Sequence, residues 1–195
     1  MNFPEPIQQF DQWLFLIINN KWGNSFFDVI LPPVRDKFFW IPLYAIIAIL
    51  LCVKYRWKGV ILILLLGLNF VASDQISSSV IKPAVGRMRP CNDENFQDKV
   101  TLRIELCGGG KSFTSSHATN TFAFATLLLL FFRKRYRWVA PLALFWATLV
   151  SFAQIYVGVH YPLDILGGAL LGSIISLIIY KIAVRFIFPR WKVEL

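Results

Sequence analysis

Five long apolar runs, separated by polar segments, occupy most of the chain. They cover residues 38–53, 59–81, 115–132, 138–159 and 162–184. A helix that crosses the hydrocarbon core of a bilayer needs about 20 residues. The first and third runs are slightly short by this measure, so we expect each to extend by a turn into the interface. The pattern therefore predicts five transmembrane helices.

The segment before the first of these runs is less apolar. Residues 7–20 contain only a short apolar stretch, and the sequence SFFDVILPP follows at 25–33. We interpret residues 7–33 as two interfacial or partly re-entrant helices. A sixth crossing in this region is the alternative interpretation.

Composition supports a membrane protein without a separate soluble module. Hydrophobic residues make up 56% of the 195 residues and charged residues only 16%, whereas soluble domains carry about 25% charged residues. The net charge of +9 is compatible with nucleic-acid binding, but the basic residues lie in short clusters between apolar runs, which argues against it. We therefore predict one all-α, polytopic helical bundle over residues 1–195.

The charged loops predict the orientation of the bundle. One set of loops is strongly basic and contains a single acidic residue, Glu194; its basic members are Lys54, Arg56, Lys58, Arg133, Lys134, Arg135, Arg137, Lys181, Arg185, Arg190 and Lys192. Cytoplasmic loops are enriched in Lys and Arg. This set is therefore expected in the cytoplasm, and the loop 82–114 and the junction 159–162 are expected on the outer side.

Three stretches on the predicted outer side carry the candidate chemistry. They are VIKPAVGRMRPCND (80–93), GKSFTSSHATN (110–120) and AQIYVGVHYPLD (153–164), and they include both histidines of the chain. Taken singly, each has a structural explanation, such as an interfacial anchor or a helix N-cap. Their combination of residue types and spacings favours a functional site.

The residues in these stretches suit phosphoryl transfer. Lys82, Arg87 and Arg89 form a candidate anion site, because Arg can bind a phosphate through two parallel hydrogen bonds. A helix that begins near 115–117 offers free backbone N–H groups. His160 and Asp164 are spaced to share one helix face, so the carboxylate can hold one ring nitrogen and leave the other as a nucleophile.

These residues resemble the signature of the type 2 phosphatidic acid phosphatase (PAP2) superfamily. That signature is Lys, six residues, Arg-Pro; then Pro-Ser-Gly-His; then Ser-Arg, five residues, His, three residues, Asp. Here the first block is complete, from Lys82 to Arg89-Pro90; the second is TSSH (114–117); and the third keeps His160 and Asp164. The resemblance covers about residues 37–185, the expected catalytic core, and implies a metal-independent, cofactor-free phosphatase with a PAP2/haloperoxidase-like helical core.

The resemblance also implies a role for each matching residue. His160 would be the nucleophile that forms a phosphohistidine, Asp164 would orient it, and His117 would be the general acid. Lys82, Arg89, Ser115 and the backbone near Ser116 would bind the phosphoryl oxygens.

One position departs from the signature. Gln154 stands where the family has the phosphate-binding arginine of the third block, and Ala153 replaces the serine before it. Glutamine can donate a hydrogen bond to phosphate but carries no charge. Arg87 and Lys111 are candidates to supply the missing charge. The alternative is a slow enzyme, or a non-catalytic binder or transporter of lipid phosphates.

The expected substrate is a membrane lipid that presents a terminal phosphate at the outer face. Undecaprenyl diphosphate, phosphatidylglycerophosphate, phosphatidic acid and lipid A phosphates all meet this description. The small size and the family resemblance suggest a bacterial inner-membrane protein whose site faces the periplasm or exterior. The expected partners are the bilayer and the lipid substrate, with no nucleic acid and no metal.

Four further patterns each lead to an expectation. GGGKS (108–112) is not a Walker A motif, because the required first glycine is Glu105 and no strand precedes it. Cys91 and Cys107 are expected to form a disulfide if the outer side is oxidising; two free thiols are the alternative.

Asp74, inside the second run, is expected to pair with a Lys or Arg beneath the site, with a polar contact to Gln75, Asn69 or Asn120 as the alternative. The small residues of GGALLGS (167–173) predict close helix packing.

Overall fold

A computed structural model of the chain describes residues 3–188, and this part is built from helices joined by turns and loops. The α-helices are α1 (Glu5–Leu16), α2 (Ser25–Val34), α3 (Ile41–Tyr55), α4 (Trp57–Gln75), α5 (Lys82–Val85), α6 (Ser116–Phe132), α7 (Val139–Tyr156) and α8 (Pro162–Ile182). Turns of π-helix extend α1 over Ile17–Lys21, join α4 to α5 over Ile76–Ile81, and extend α8 over Ala183–Ile187. The predicted all-α membrane architecture is confirmed.

Four helical segments are long and apolar enough to cross a bilayer. They are Phe38–Tyr55, Trp57–Val85, Val139–Tyr156 and Pro162–Ile187. The remaining predicted crossing, Ser116–Phe132, is an apolar helix of 17 residues. Large apolar side chains on the outer faces, such as Val53, Phe145 and Leu170, are exposed in the isolated chain. Such a surface is typical of helices that face lipid, because lipid tails replace a protein core around them.

The short helix α6 lies at the centre of the bundle and packs against α4, α7 and α8. Its contact with α8 depends on glycine. A Cβ atom at Gly168 would lie 2.7 Å from the carbonyl oxygen of Ser115, and one at Gly172 would overlap the carbonyl oxygen of Thr119. The glycines therefore allow the two backbones to touch, and this contact sets the positions of the N-terminal ends of α6 and α8.

The N-terminal helices pack against the bundle. Phe15 of α1 is fully buried, with its ring 5.5 Å from that of Tyr161 and 5.7 Å from that of Phe96. Helix α2 contacts α7. Neither α1 nor α2 is among the four segments that meet the length and hydropathy of a crossing, which favours the interpretation of two short helices over a sixth crossing.

The predicted outer loop begins later than expected. Residues 82–85 continue the helix that starts at Trp57, and Gly86 ends it with a φ of 69°, a left-handed conformation that glycine adopts without strain. The loop then contains short 3₁₀ turns at Pro90–Asn92 and Gln97–Lys99. A disulfide joins Cys91 to Cys107, with their Cα atoms 5.9 Å apart. The expected pairing of these two cysteines is therefore present.

Two of the basic loops meet at the opposite end of the bundle. The ammonium group of Lys54 lies 4.7 Å from the centre of the Tyr136 ring, and the rings of Tyr55 and Phe132 are 5.8 Å apart. The loop after α3 and the loop after α6 are therefore neighbours. This is the arrangement that the charge pattern requires if both loops lie on one side of the membrane.

Candidate active site

His160 lies in the tight connection between α7 and α8. Gly158, with a φ of 94°, turns the chain after α7, and Pro162 occupies the first turn of α8. The carboxylate of Asp164 accepts a hydrogen bond of 2.8 Å from the backbone N–H of Tyr161 and so caps this helix. The local sequence therefore fixes His160 immediately before a capped helix, and the same carboxylate is free to contact its ring.

Asp164 and Ser112 together hold the Nδ1 edge of the His160 ring. Nδ1 lies 3.4 Å from Oδ2 of Asp164 and 3.3 Å from Oγ of Ser112. The Ser112 hydroxyl donates to the same carboxylate oxygen at 2.5 Å. His160 and Asp164 are almost completely buried, and burial lowers the pKa of His160 to about 4 although the hydrogen bond with Asp164 opposes this shift. The imidazole is therefore neutral at pH 7.

Arg89 defines which nitrogen of that neutral ring carries the proton. Its Nη1 lies 3.2 Å from Nε2 of His160. A guanidinium group only donates hydrogen bonds, so Nε2 must be the acceptor and Nδ1 must carry the proton. The lone pair of Nε2 thus faces the cationic groups, and the proton on Nδ1 faces the carboxylate. This is the tautomer that a nucleophilic Nε2 needs.

Arg87 has a different role from the one expected. Its Nη1 donates to Asp164 at 2.8 Å and its Nη2 donates to Asp11 at 2.5 Å. All three side chains are buried. The guanidinium is therefore occupied by two carboxylates, and this geometry supports neither the expected phosphate contact nor compensation for Gln154. Arg87 instead holds Asp164 in place.

Asp11 connects the first helix to this ion-pair chain. Besides Arg87, it accepts a hydrogen bond of 2.8 Å from the backbone N–H of Leu163. Asp11 thus bridges the loop after α5 and the first turn of α8. The sequence did not predict this contact, because α1 lies outside the family signature. A single acidic residue in an N-terminal helix gives no signal of a contact 152 positions away.

Two lysines near the site occupy different positions. The ammonium group of Lys82 donates to the carbonyl oxygen of Lys111 at 3.1 Å, and its charge acts on both His160 and His117. The side chain of Lys111 instead contacts the sulfur of Met88 at 3.3 Å. Lys82 therefore belongs to the site, whereas Lys111 lies on its rim and contributes its backbone.

The N-terminus of α6 brings the second block beside the third. The backbone N–H of Ser115 donates to the carbonyl oxygen of Asp164 at 3.0 Å, and its Oγ accepts from the N–H of Ala118 at 3.4 Å. The hydroxyl of Ser116 lies 3.0 Å from that of Ser77. His117 follows in the first turn, and the groups that act on it electrostatically are His160, Arg35, Lys82 and Arg89. Both histidines therefore share one cationic site.

Gln154 is fully buried, and its amide nitrogen lies 3.4 Å from the carbonyl oxygen of Arg35, to which it donates. The expected phosphate contact of Gln154 stays a prediction, since this amide is directed to the backbone after α2. Asp74 acts on Lys82 through its charge but forms no ion pair with a Lys or Arg within residues 3–188. Its carboxylate accepts a hydrogen bond of 3.0 Å from Asn120, which is the alternative interpretation, and this contact joins α4 to α6.

Ser112 is a further site residue that the sequence did not predict. It lies within the GKSF segment, but outside all three signature blocks, so no spacing rule marked it. Its backbone N–H donates to the carbonyl oxygen of Arg87 at 2.7 Å, which places its hydroxyl between Asp164 and His160. The glycine-rich loop before it therefore delivers a polar side chain into the site.

Known proteins resemble this chain in sequence and in fold. The sequence model of the PAP2 superfamily matches residues 58–188. A lipid A 4′-phosphatase from Bacteroides thetaiotaomicron is 34% identical over 181 residues, which cover 92% of this chain and 79% of that protein. An undecaprenyl-diphosphatase from Sulfolobus acidocaldarius is 32% identical and covers 85% of this chain and 73% of that protein.

Solved structures agree at the level of the fold. A transmembrane PAP2-type phosphatidylglycerolphosphate phosphatase from Bacillus subtilis superposes with a TM-score of 0.70 at 20% identity, over 94% of this chain and 89% of that one. LpxE from Aquifex aeolicus superposes with a TM-score of 0.67 at 25% identity, over 86% and 93%. On the match of its family model and its relatives, this chain belongs to the PAP2 superfamily and is a membrane lipid phosphatase of that family.

Proposed function

We propose that this phosphatase removes a terminal phosphate from its lipid substrate through a phosphohistidine at His160. The observation that carries the proposal is the orientation of the His160 ring. Its Nδ1 is held by Asp164 and Ser112, and its Nε2 accepts a hydrogen bond from Arg89. A nucleophile of this kind needs an oriented ring, an unprotonated nitrogen and nearby positive charge for the phosphate. These three requirements meet at one side chain.

In the first step, Nε2 of His160 attacks phosphorus, and the bond between phosphorus and the lipid oxygen breaks. Arg89 transfers its hydrogen bond from Nε2 to a phosphoryl oxygen, and Lys82 stabilises the charge on the phosphoryl group. Asp164 stabilises the positive charge that develops on the ring. His117, protonated when the substrate phosphate binds and offsets the surrounding cations, donates its proton to the leaving oxygen, which departs as the lipid alcohol or lipid phosphate.

In the second step, a water molecule attacks the phosphohistidine. His117, now neutral, accepts a proton from that water, and inorganic phosphate leaves with the electron pair returning to Nε2. Each step conserves charge within the site, because a proton moves whenever negative charge would build up on oxygen. His117 is thus the acid of the first step and the base of the second.

We propose the 4′-phosphate of lipid A as the substrate. The relatives from Bacteroides thetaiotaomicron and Porphyromonas gingivalis that carry this activity in their names align with 92% and 96% of this chain. Undecaprenyl diphosphate is the second candidate, because the Sulfolobus acidocaldarius relative is an undecaprenyl-diphosphatase. In either case the lipid enters sideways between helices, with its phosphate in the cationic site and its acyl or prenyl chains in the bilayer.

Phosphate release from purified protein in lipid–detergent micelles tests the proposal. Lipid A 4′-phosphate, undecaprenyl diphosphate, phosphatidylglycerophosphate and phosphatidic acid are assayed in parallel with a chelator present. We expect the fastest release from lipid A 4′-phosphate, and loss of release in His160→Ala. Undiminished release by His160→Ala would overturn the mechanism, and binding of labelled lipid without any turnover would favour the non-catalytic binder.

We further propose that the site faces the periplasm or exterior of a bacterial inner membrane. The basic loops after α3 and α6 meet at the end of the bundle away from His160, and basic loops favour the cytoplasm. Labelling of intact cells with a membrane-impermeant maleimide tests this in a Cys52→Ser background. We expect labelling of Glu94→Cys and protection of Lys134→Cys; the reverse pattern would contradict the proposed orientation.

A further inference from the structure

Because the arginine of the third signature block is absent, the site lacks one of the positive charges that bind phosphate in the family. The family has an arginine where this chain has Gln154, and Arg87 cannot supply the charge because Asp11 and Asp164 already bind it. Removing one preorganised charged donor from a phosphoryl-transfer site costs about 100-fold or more in rate. A cation from elsewhere in the fold is therefore needed if the enzyme is to turn over efficiently.

The residue beside Gln154 is itself an arginine. Arg35 follows directly after α2, and its carbonyl oxygen accepts the 3.4 Å hydrogen bond from the Gln154 amide. Two contacts near α2 define the position of this backbone: the indole N–H of Trp40 donates to the carbonyl of Val34 at 2.7 Å, and α2 packs on α7. The end of α2 is thus anchored beside position 154 of α7, where the family has its arginine.

The guanidinium of Arg35 is incompletely satisfied. Its Nε is sealed from solvent and has no hydrogen-bond partner. The charge of the neighbouring Asp36 acts on it, but within residues 3–188 no carboxylate is close enough to form an ion pair with it. A cation withdrawn from water without an anion is unfavourable. The nearby Nε of Arg89 is buried without a partner as well. Two arginines in this condition indicate a place where an anion binds.

The charge of Arg35 is directed at the site. It acts electrostatically on His117, as Lys82 and Arg89 do, and it also acts on Arg89. His117 and Arg89 are the two groups that flank the position of the transferred phosphoryl group in the proposed mechanism. Arg35 therefore acts on this position from the end of α2, whereas Lys82 belongs to α5 and Arg89 to the loop after it.

We propose that Arg35 binds the substrate phosphate in place of the arginine that the family signature has at position 154. In this arrangement Gln154 is a positioning residue, since its amide holds the backbone of Arg35 at the end of α2. In this chain the positive charge therefore comes from the end of α2, whereas in the family signature it comes from the position equivalent to 154 on α7. This inference rests on the proposed function, because it assigns a ligand to the phosphate on which His160 acts.

Substitution of Arg35 tests the inference. We expect Arg35→Met to lower kcat/KM by about 100-fold or more and to weaken inhibition by orthovanadate, an analogue of the phosphoryl group. Arg35→Lys should retain part of the activity, because it keeps the charge but loses the two-pronged hydrogen bonding. Lys37→Met is the matched control: it removes a positive charge two positions away from an exposed side chain, and its kinetics should equal those of the wild type.

A charge-relocation experiment separates phosphate binding from a structural role. In the double variant Arg35→Met/Gln154→Arg, the arginine returns to the family position, and we expect recovery of at least 10-fold in kcat/KM and of vanadate inhibition over Arg35→Met. A purely structural role of Arg35 would not respond to an arginine on α7. Should Arg35→Met fail to yield monodisperse protein, Arg35→Gln replaces it in both variants.

The outcomes distinguish this inference from the proposed function. Wild-type kinetics and vanadate inhibition in Arg35→Met would overturn the role of Arg35, provided that His160→Ala is inactive. Absence of rescue in the double variant, with Gln154→Arg alone active, would overturn it too. Wild-type protein that releases no phosphate, or unchanged release by His160→Ala, would instead refute the proposed function itself.

Discussion

Ser112 bridges the two side chains on which the proposed nucleophile depends. Its hydroxyl donates to Asp164 at 2.5 Å and lies 3.3 Å from Nδ1 of His160. Hydrogen bonds to charged groups contribute about 1.5–3 kcal/mol, which corresponds to roughly 10- to 100-fold in rate at 1.36 kcal/mol per decade. The effect should fall on the chemical step, since Ser112 acts through His160 and does not bind the lipid.

We therefore predict that Ser112→Ala lowers kcat by about 10- to 100-fold and leaves KM nearly unchanged. Steady-state kinetics of phosphate release measure both constants. Ser173→Ala is a suitable control, because that hydroxyl forms its hydrogen bond with Thr126, between α8 and α6. An increase in KM with unchanged kcat would contradict the role assigned to Ser112.

The protonation of His160 can be measured directly. Burial lowers its pKa to about 4, whereas an unfolded histidine titrates near 6.5. We predict that NMR of histidine-labelled, substrate-free protein shows a neutral, Nδ1-protonated ring down to about pH 5. The unfolded chain binds more protons between these two values, so this group lowers stability as the pH falls from 6.5 towards 4. Titration of His160 at or above pH 6.5 would refute the assignment.

The side chains of the site differ in how far the sequence could predict them. Lys82, Arg89, His160 and Asp164 follow from fixed spacings within short segments. Ser112, Asp11 and Arg35 come from three other segments, and only folding brings them into contact with Asp164, Arg87 and Gln154 respectively. A residue whose function depends on contacts distant in the sequence leaves no periodic or spacing signal, and this is why the sequence did not reveal that Asp11 binds Arg87.

At the level of elements, the contact between α6 and α8 determines whether the two histidines meet. His117 lies in the first turn of α6, and His160 lies just before α8. The close approach of these helices at Gly168 and Gly172 fixes the distance between their ends. The small residues at 167–173 predicted this packing correctly, because small side chains are a local property that sequence alone reveals.

We predict that Gly172→Ala destabilises the protein by about 1–3 kcal/mol and reduces activity. The added methyl group would overlap the carbonyl of Thr119 and lie 2.9 Å from the N–H of Ala123, so the helices must separate. Gly67→Ala provides a matched control within α4, since a Cβ there meets no atom within 4 Å. Thermal unfolding in detergent and phosphate release are measured for both. Equal stability of the two variants would contradict the packing argument.

For the whole molecule, the sequence predicted the helical bundle better than the extent of its site. The apolar runs coincide with α3, α4, α6, α7 and α8, because lipid exposure requires long, continuous apolar segments. The packing of α1 and α2 onto the bundle could not be predicted, because it depends on isolated residues such as Phe15. The site extends beyond the core that the signature marks, as the contact between Asp11 and Arg87 shows.

The disulfide in the outer loop affects both the stability of the protein and the geometry of the site. Closing a loop of about 15 residues contributes roughly 3 kcal/mol. A Cβ on Gly108, next to Cys107, would lie 3.7 Å from Cζ of Arg89, so the bridge also holds a wall of the cationic site against that arginine. We predict that Cys91→Ser/Cys107→Ser lowers the melting temperature and raises KM for the lipid.

The remaining cysteine gives the control for this experiment. Cys52 is exposed and unbonded, and Cys52→Ser should leave both the melting temperature and KM unchanged. A reducing agent should reproduce the effect of the double variant on the wild type. Equal KM values with and without the bridge would show that the loop holds Arg89 by other contacts.

The carboxylate of Asp11 ties the start of the chain to the helix that follows the nucleophile. An engineer who transplanted only residues 58–188, the part that the family model matches, would therefore move the histidines without one counter-ion of their supporting arginine. Chimaeras between relatives should exchange the leading helices together with the core. Affinity tags and fusion partners are best placed where they do not disturb the packing of that first helix against the bundle.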